Sequence, residues 1–144
     1  MVLERDVKRD FLKRWDGWYD TFEPARGSGT GHPDCQLVIV KPNWILPLEF
    51  KRGSIVKGNL TVEEIRPAQI SWHTRFGIAG NMSAFSVGIK DGKDIRHILF
   101  HAKHMLDGYR LNQFVVGVNC QMLPKDDNFS NEVRNFLWRG LSKK

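Results

Sequence analysis

The stretch PDCQLVIVKPNWILPLEFKRG, residues 33–53, reads as two strands joined by a tight turn. QLVIVK (36–41) and WILPLEF (44–50) are rich in β-branched and aromatic residues, and Pro42-Asn43 between them suits a short hairpin connection. Side chains two apart in a strand face the same way, so Glu49 and Lys51 project together while Phe50 turns to the opposite side for packing. Asp34, at the head of the neighbouring strand, puts a second carboxylate within reach of Glu49. Two hard oxygen donors select a divalent cation such as Mg²⁺ over a soft-metal site. Asp34, Glu49 and the backbone carbonyl of Phe50 form the candidate ligand set. Lys51 stands beside it to orient an attacking water or steady a phosphodiester's developing negative charge. The same residues also fit a plainer arrangement, with Asp34 a turn residue and Glu49 and Lys51 an exposed ion pair. Pro47 is the discordant member, because it lacks an amide proton and belongs at an edge position or a bulge.

Ahead of this stretch, Leu3, Val7, Phe11 and Trp15 recur every four positions with Leu12 beside them, which predicts a helix burying one face. Arg5, Lys8, Arg9, Lys13 and Arg14 interleave with Glu4, Asp6, Asp10 and Asp16 on its other faces, and most read as solvated pairs of small individual value. YDTFEPARGSGTGHP (19–33), with three glycines and two prolines, predicts a loop or a short irregular strand followed by a loop. Beyond the stretch, KRGSIVKGNLT (51–61) reads as an exposed basic loop. A second helix follows, started either by the Thr61 and Glu64 capping-box spacing or by Pro67 as its first residue. Gln69 lies in its first turns, and Ile70, His73 and Phe76 or Gly77 share a face. Residues 83–90 predict a strand and Asp91-Gly92 a turn, whereas residues 95–105 fit strand or helix. FVVGV (114–118) predicts a strand and NEVRNFLWRGL (131–141) a closing helix. The order is that of a small mixed α/β domain.

At 144 residues the chain has the length of one domain. A hydrophobic fraction of 41% beside 26% charged residues excludes a disordered or fibrous chain. The net charge of +6, from 22 Lys and Arg against 16 Asp and Glu, favours polyanionic partners. Cys35 and Cys120 form no CxxC unit and are expected as buried free thiols. No apolar run approaches the ~20 residues of a membrane span, and MVLERDVKRDF lacks the unbroken apolar segment of a secretory signal. An intracellular protein without a membrane partner is expected, cytoplasmic if the source is prokaryotic and in the host cytoplasm if it is viral. With no P-loop, no nucleotide cofactor is expected either.

Taken together, GTGHPD (29–34), LEFKRG (48–53) and RPAQISWH (66–73) resemble the PD-(D/E)XK nuclease superfamily, and within it the VRR-NUC branch and the small phage-type Holliday-junction resolvases. The resemblance runs from Glu4 to about Lys90. It implies an α/β fold with a restriction-endonuclease-like core, a central mixed β-sheet flanked by helices, over residues 1–144 as one nuclease domain. It implies an endodeoxyribonuclease using Mg²⁺, with Mn²⁺ as a substitute, that hydrolyses phosphodiesters in branched DNA. A repair or restriction-type enzyme cutting flaps, ends or linear duplex is the alternative, and a noncatalytic DNA-binding relative is another. By this resemblance Asp34 is the first metal carboxylate, Glu49 the second and Lys51 the catalytic lysine. Glu4 is the carboxylate from the first helix, with a possible place among the metal ligands, and Glu23 competes for that role. Gln69 matches the glutamine on the helix after the lysine strand. Pro47 departs from the unbroken apolar run that the family carries before its acidic-x-lysine unit.

For DNA contact, Arg26 among Gly27, Gly29 and Gly31, and Arg52 and Lys57 just past Lys51, are the candidates. His32 and His73 read as structural. Junction resolution needs two symmetric cuts, so a homodimer is expected. Leu99, Phe100 and Met105, or Phe136, Leu137 and Trp138, are the candidate dimer patches.

Overall fold

Burial alternates along Cys35, Gln36, Leu37, Val38 and Ile39, the period of two expected for a strand with one face in a core. The computed structural model describes residues 2–21, 31–40, 43–103, 114–115 and 120–142. Among these the elements are α1 (Glu4–Arg14), β1 (Trp18–Thr21), β2 (Cys35–Ile39), β3 (Trp44–Val56), β4 (Asn59–Val62), α2 (Pro67–Ile78), β5 (Ala84–Asp91), β6 (Asp94–His101), β7 (Phe114–Val115), β8 (Gln121–Met122) and α3 (Phe129–Ser142). The strands form one mixed sheet in the order β1-β2-β3-β5-β6-β8, with β4 on the far half of β3 and β7 on β4. The fold is therefore α/β, a mixed sheet with helices packed on it.

The long β3 organises everything else. It pairs antiparallel with β2 from Trp44 to Leu48, parallel with β5 from Leu48 to Arg52, and antiparallel with β4 from Gly53 to Val56. This explains Pro47. Its neighbour Leu48 turns its carbonyl toward β2, accepting from the Asp34 amide at 3.1 Å, so the Pro47 nitrogen points to the other side. There β5 pairs only from Leu48 onward, and no ladder bond is lost.

One face of the sheet is covered by α1 and α3. Val7 and Phe11 are fully buried, with the Phe11 ring 5.4 Å from Phe50 and 5.0 Å from Phe129. Gly88 on β5 makes this approach possible, since a Cβ there would lie 2.7 Å from Val7 Cγ1. Asp10 clamps the helix to the sheet by a 2.7 Å contact with His97 of β6, and Arg14, one turn on in the same helix, braces it at 2.9 Å. The other face holds Leu60, Phe85, Val87, Ile98 and Phe100.

Several expectations change. Residues 51–61 are not a loop, because β3 continues to Val56 and turns into β4 through Lys57 (φ 52°) and Gly58 (φ 79°). Two positive φ values make the turn that matches strand twist, but Lys in place of Asn or Asp hides it in sequence. Thr61 lies within β4, and α2 starts at Pro67, so the earlier capping box is overturned. Residues 94–101 are a strand paired with β5. The closing helix begins two residues early, at Phe129. Of FVVGV, Phe114 and Val115 form β7, while residues 116–118 lie outside the described residues. The proposed dimer patches are largely spent on the core. Leu99, Phe100 and Leu137 are fully buried and Phe136 nearly so, leaving Trp138 exposed, with Met105 outside the described residues. Cys35 is a buried free thiol, and Cys120 is half-buried. No helix among the described residues is long and apolar enough to cross a membrane.

Candidate active site

Asp34 lies one step beyond the Cys35 and Leu48 pair, its amide donating to the Leu48 carbonyl at 3.1 Å, and its carboxylate meets that of Glu49 in a side-chain hydrogen bond. The Phe50 amide donates to Asp34 Oδ2 at 2.7 Å, which fixes this carboxylate over β3. In a strand the N–H and C=O of one residue share a side, so the Phe50 carbonyl also lies toward Asp34, past the last β2 pair. Alternation then places Glu49 and Lys51 on the face opposite Phe50, as the sequence predicts. Both are buried, Glu49 at 1% exposure and Lys51 at 3%. Lys51 Nζ donates to the Glu64 carbonyl at 3.2 Å, which holds the ammonium at the end of β4.

The first turn of α1 brings Glu4 to the same place. Burial, a hydrogen bond with Glu63 and the nearby charges of Glu63 and Asp34 raise its carboxyl to about 7, against the opposing pull of Lys51. Burial, a hydrogen bond to Asp34 and the Asp34 and Glu4 charges push Glu49 up to about 10, with Lys51 again opposing. Lys51 thus faces several carboxyl groups, and burial with their mutual repulsion holds protons on Glu49 and Glu4.

Glu63 was not singled out in the sequence. Its backbone N donates to Arg52 O at 3.1 Å, and its carboxylate accepts from the Arg52 amide at 2.9 Å and lies 3.3 Å from Arg52 Nε. The signal was present in the β3–β4 pairing, since Gly53 opposite Val62 sets Arg52 opposite Glu63. Reading 51–61 as a loop concealed it. His73, read in sequence as a structural group, lies against this site. Its Nε2 lies 3.7 Å from Glu49 Oε1, and its Nδ1 is 2.7 Å from Ser83 Oγ. Burial lowers the imidazole to about 4, so the ring is neutral here.

Gln69 is buried on the same side, but its amide oxygen accepts from the Arg66 amide at 3.0 Å. That oxygen closes the first turn of α2, and only the amide N–H₂ end can serve a substrate. The buried face of α2 is Gln69 and His73, whereas Ile70, expected inside, is 40% exposed. Of the DNA-contact candidates, Arg52 is tied to Glu63, and Lys57 sits at the exposed hairpin tip, six residues or ~20 Å along β3 from Lys51. Arg26 and Glu23 lie outside the described residues. His32 lies beside α2, its ring 6.2 Å from that of Trp72.

Among the described residues, no three His, Cys, Asp or Glu side chains are gathered into a ready metal cage. The donors nevertheless suit a hard cation. Asp34 and Glu49 are adjacent carboxylates, Glu49 Oε1 is buried without a hydrogen-bond partner, and Mg²⁺ commonly takes one or two carboxylates and fills its other positions with water and phosphate.

A pH dependence follows from the same charges. Glu49 binds a proton in the folded state up to about 10 but releases it near 4.5 when unfolded, so folding stability falls as pH rises through this range. Below about 6.5, His73 acts in the opposite sense, because it is neutral when folded and protonated when unfolded. Between about pH 7 and 9 the carboxyl dominates, and thermal melts in chelator are expected to lose on the order of 1 kcal/mol per pH unit. Glu49→Gln should flatten that slope. A wild-type melting temperature that rises with pH over the same interval would show that Glu49 is ionised in the folded protein.

Compared with known proteins, the chain matches no family model and no curated protein.

Proposed function

We propose that this chain is a Mg²⁺-dependent endodeoxyribonuclease of the PD-(D/E)XK type, built on a restriction-endonuclease-like core and acting on branched DNA as a homodimeric junction resolvase. The observation that carries the reading is the juxtaposition of Asp34 with Glu49 across β2 and β3, with Lys51 buried two residues along. Four segments distant in sequence supply this one place: the first turn of α1, the head of β2, the middle of β3 and the end of β4.

Asp34, Glu49 and the Phe50 carbonyl would hold the cation, with Glu4 next to them. A divalent ion bound there supplies an acidified water and neutralises charge on the phosphate. Asp34 is kept in place by the Phe50 amide, and its position does not depend on side-chain rotamer alone. Lys51, the buried cation among these carboxylates, is placed to donate toward the attacking water or a phosphate oxygen. Glu63 hydrogen-bonds Glu4 and anchors Arg52, so it ties the rim of the site to the first turn of α1. The N–H₂ of Gln69 is available to the scissile phosphate.

Purified protein should nick or resolve labelled four-way junctions in Mg²⁺ or Mn²⁺ and lose that activity in chelator. Matched junction, flap, nicked, single-stranded and linear substrates separate the branches of the reading. Efficient linear cutting without branch preference would replace the resolvase with a repair or restriction-type nuclease. Salt-sensitive DNA binding without cleavage or metal affinity would leave a noncatalytic binding module. Metal-independent cleavage would overturn the mechanism. Light scattering with and without junction tests the dimer.

A further inference from the structure

The charged face of α1, which reads in sequence as mostly solvated pairs, is segregated in the folded protein. Arg5, Lys8, Arg9 and Lys13 recur at helical spacing and, with Leu12 and Tyr19 of β1, line a groove of about 510 Å³. No carboxylate is among these lining residues. The acidic residues of the helix are engaged elsewhere: Asp10 is held by His97 and Arg14, and Glu4 turns into the acidic cleft. Among the described residues the counter-charge paired with these cations is Asp6, 3.9 Å from Arg5 Nε, and both side chains are solvent-exposed. Lys8 joins the groove to the cleft, its Nζ 3.4 Å from the Asp34 carbonyl oxygen.

We propose that this groove is the track along which a nucleic-acid strand runs to the acidic cleft. The assignment rests on reading the cleft as a nuclease site and names a surface none of the sequence candidates occupied. Charge complementarity selects the occupant. Four cations on about two helical turns match a row of phosphates, and Tyr19, 44% exposed, adds an aromatic surface beside them. A strand held there would arrive at Asp34 with its phosphates already neutralised, which an otherwise acidic cleft requires.

The test is fluorescence anisotropy of labelled junction and single-stranded DNA over a salt series in chelator, so that binding is read without cleavage. Arg9→Gln/Lys13→Gln should lower affinity at least ~10-fold and reduce the slope of log K against log salt by about 1.5. Lys90→Gln/Lys93→Gln removes the same net charge from the exposed β5–β6 turn and should cost less than ~2-fold. Tyr19→Ala should weaken binding about 5-fold with the slope unchanged. Equal losses for the two double variants would show net charge alone at work and overturn the proposal, as would wild-type protein that binds no DNA. Tighter binding of phosphatidylserine vesicles than of DNA, lost in Arg9→Gln/Lys13→Gln, would reassign the groove to an anionic membrane surface. If DNA binding depends on the groove but the wild type cleaves nothing in Mg²⁺, the nuclease reading fails and the groove stands. If the wild type cleaves while Arg9→Gln/Lys13→Gln binds normally, the groove fails and the nuclease stands.

Discussion

Asp34→Asn and Lys51→Ala are each expected to reduce Mg²⁺-dependent strand cleavage by on the order of 10²–10³-fold, yet to differ in metal binding. Asp34 sits beside Glu49 and is positioned by the Phe50 amide, so the asparagine variant keeps the shape of the site and loses half of its charged ligand pair. Its Mn²⁺ affinity, measured by titration calorimetry, should fall along with turnover. Lys51 bonds a backbone carbonyl and faces the carboxylates as their buried counter-charge. Its removal leaves the ligands in place, so turnover should collapse while most metal affinity survives. Unchanged Mn²⁺ binding in both Asp34→Asn and Glu49→Gln would mean that the ligands have been assigned wrongly. Full activity in Lys51→Ala would remove the lysine from the chemistry.

Gly31→Ala should be among the most damaging single-methyl changes to stability. Gly31 has φ +71°, and a Cβ there would overlap the Ala68 carbonyl oxygen and lie 2.7 Å from the Gln69 backbone nitrogen. The left-handed conformation costs about 1–2 kcal/mol and the forced overlap about 1–3 kcal/mol more, giving a drop in melting temperature on the order of 10 °C. Because the loop leads directly to Asp34 and its contact is the first turn of α2, cleavage should fall with stability. Gly58→Ala is the control. Its φ is +79°, but nothing lies within 4 Å of the added carbon, so only the conformational cost applies. Equal melting temperatures for the two variants would show that the loop does not pack on α2.

Much of the local order is legible in the chain because it depends on near neighbours. The stripe of Val7, Phe11 and Trp15, spaced four apart, is buried as expected, and β2 and β3 pair antiparallel as their sequences predict, while Pro42 of the turn between them lies outside the described residues. The helix start shows where such signals compete. Thr61 and Glu64 have capping-box spacing, but β4 claims Thr61 through its pairing with Ser54, and Pro67 is left as the first helical residue. Apolar periodicity also misassigns α2. Its inner face is Gln69 and His73, because what it covers is a polar site on Glu49 and Ser83.

The sequence by itself determined that Glu49 and Lys51 share a face opposite Phe50, since period two is a property of any strand. It also determined that a hairpin would return Asp34 to their vicinity. Only the tertiary structure decided that Glu4 and Glu63 join them, that His73 stands 3.7 Å from Glu49, and that the cations of α1 line a groove with no carboxylate among its described lining residues. These depend on how α1 packs over Gly88, a contact between residues far apart in the chain, and on how β4 folds back on β3 through a turn whose residues do not announce it. No local spacing records them, because a carboxylate's partner is set by the three-dimensional path of the whole chain and not by its neighbours in sequence.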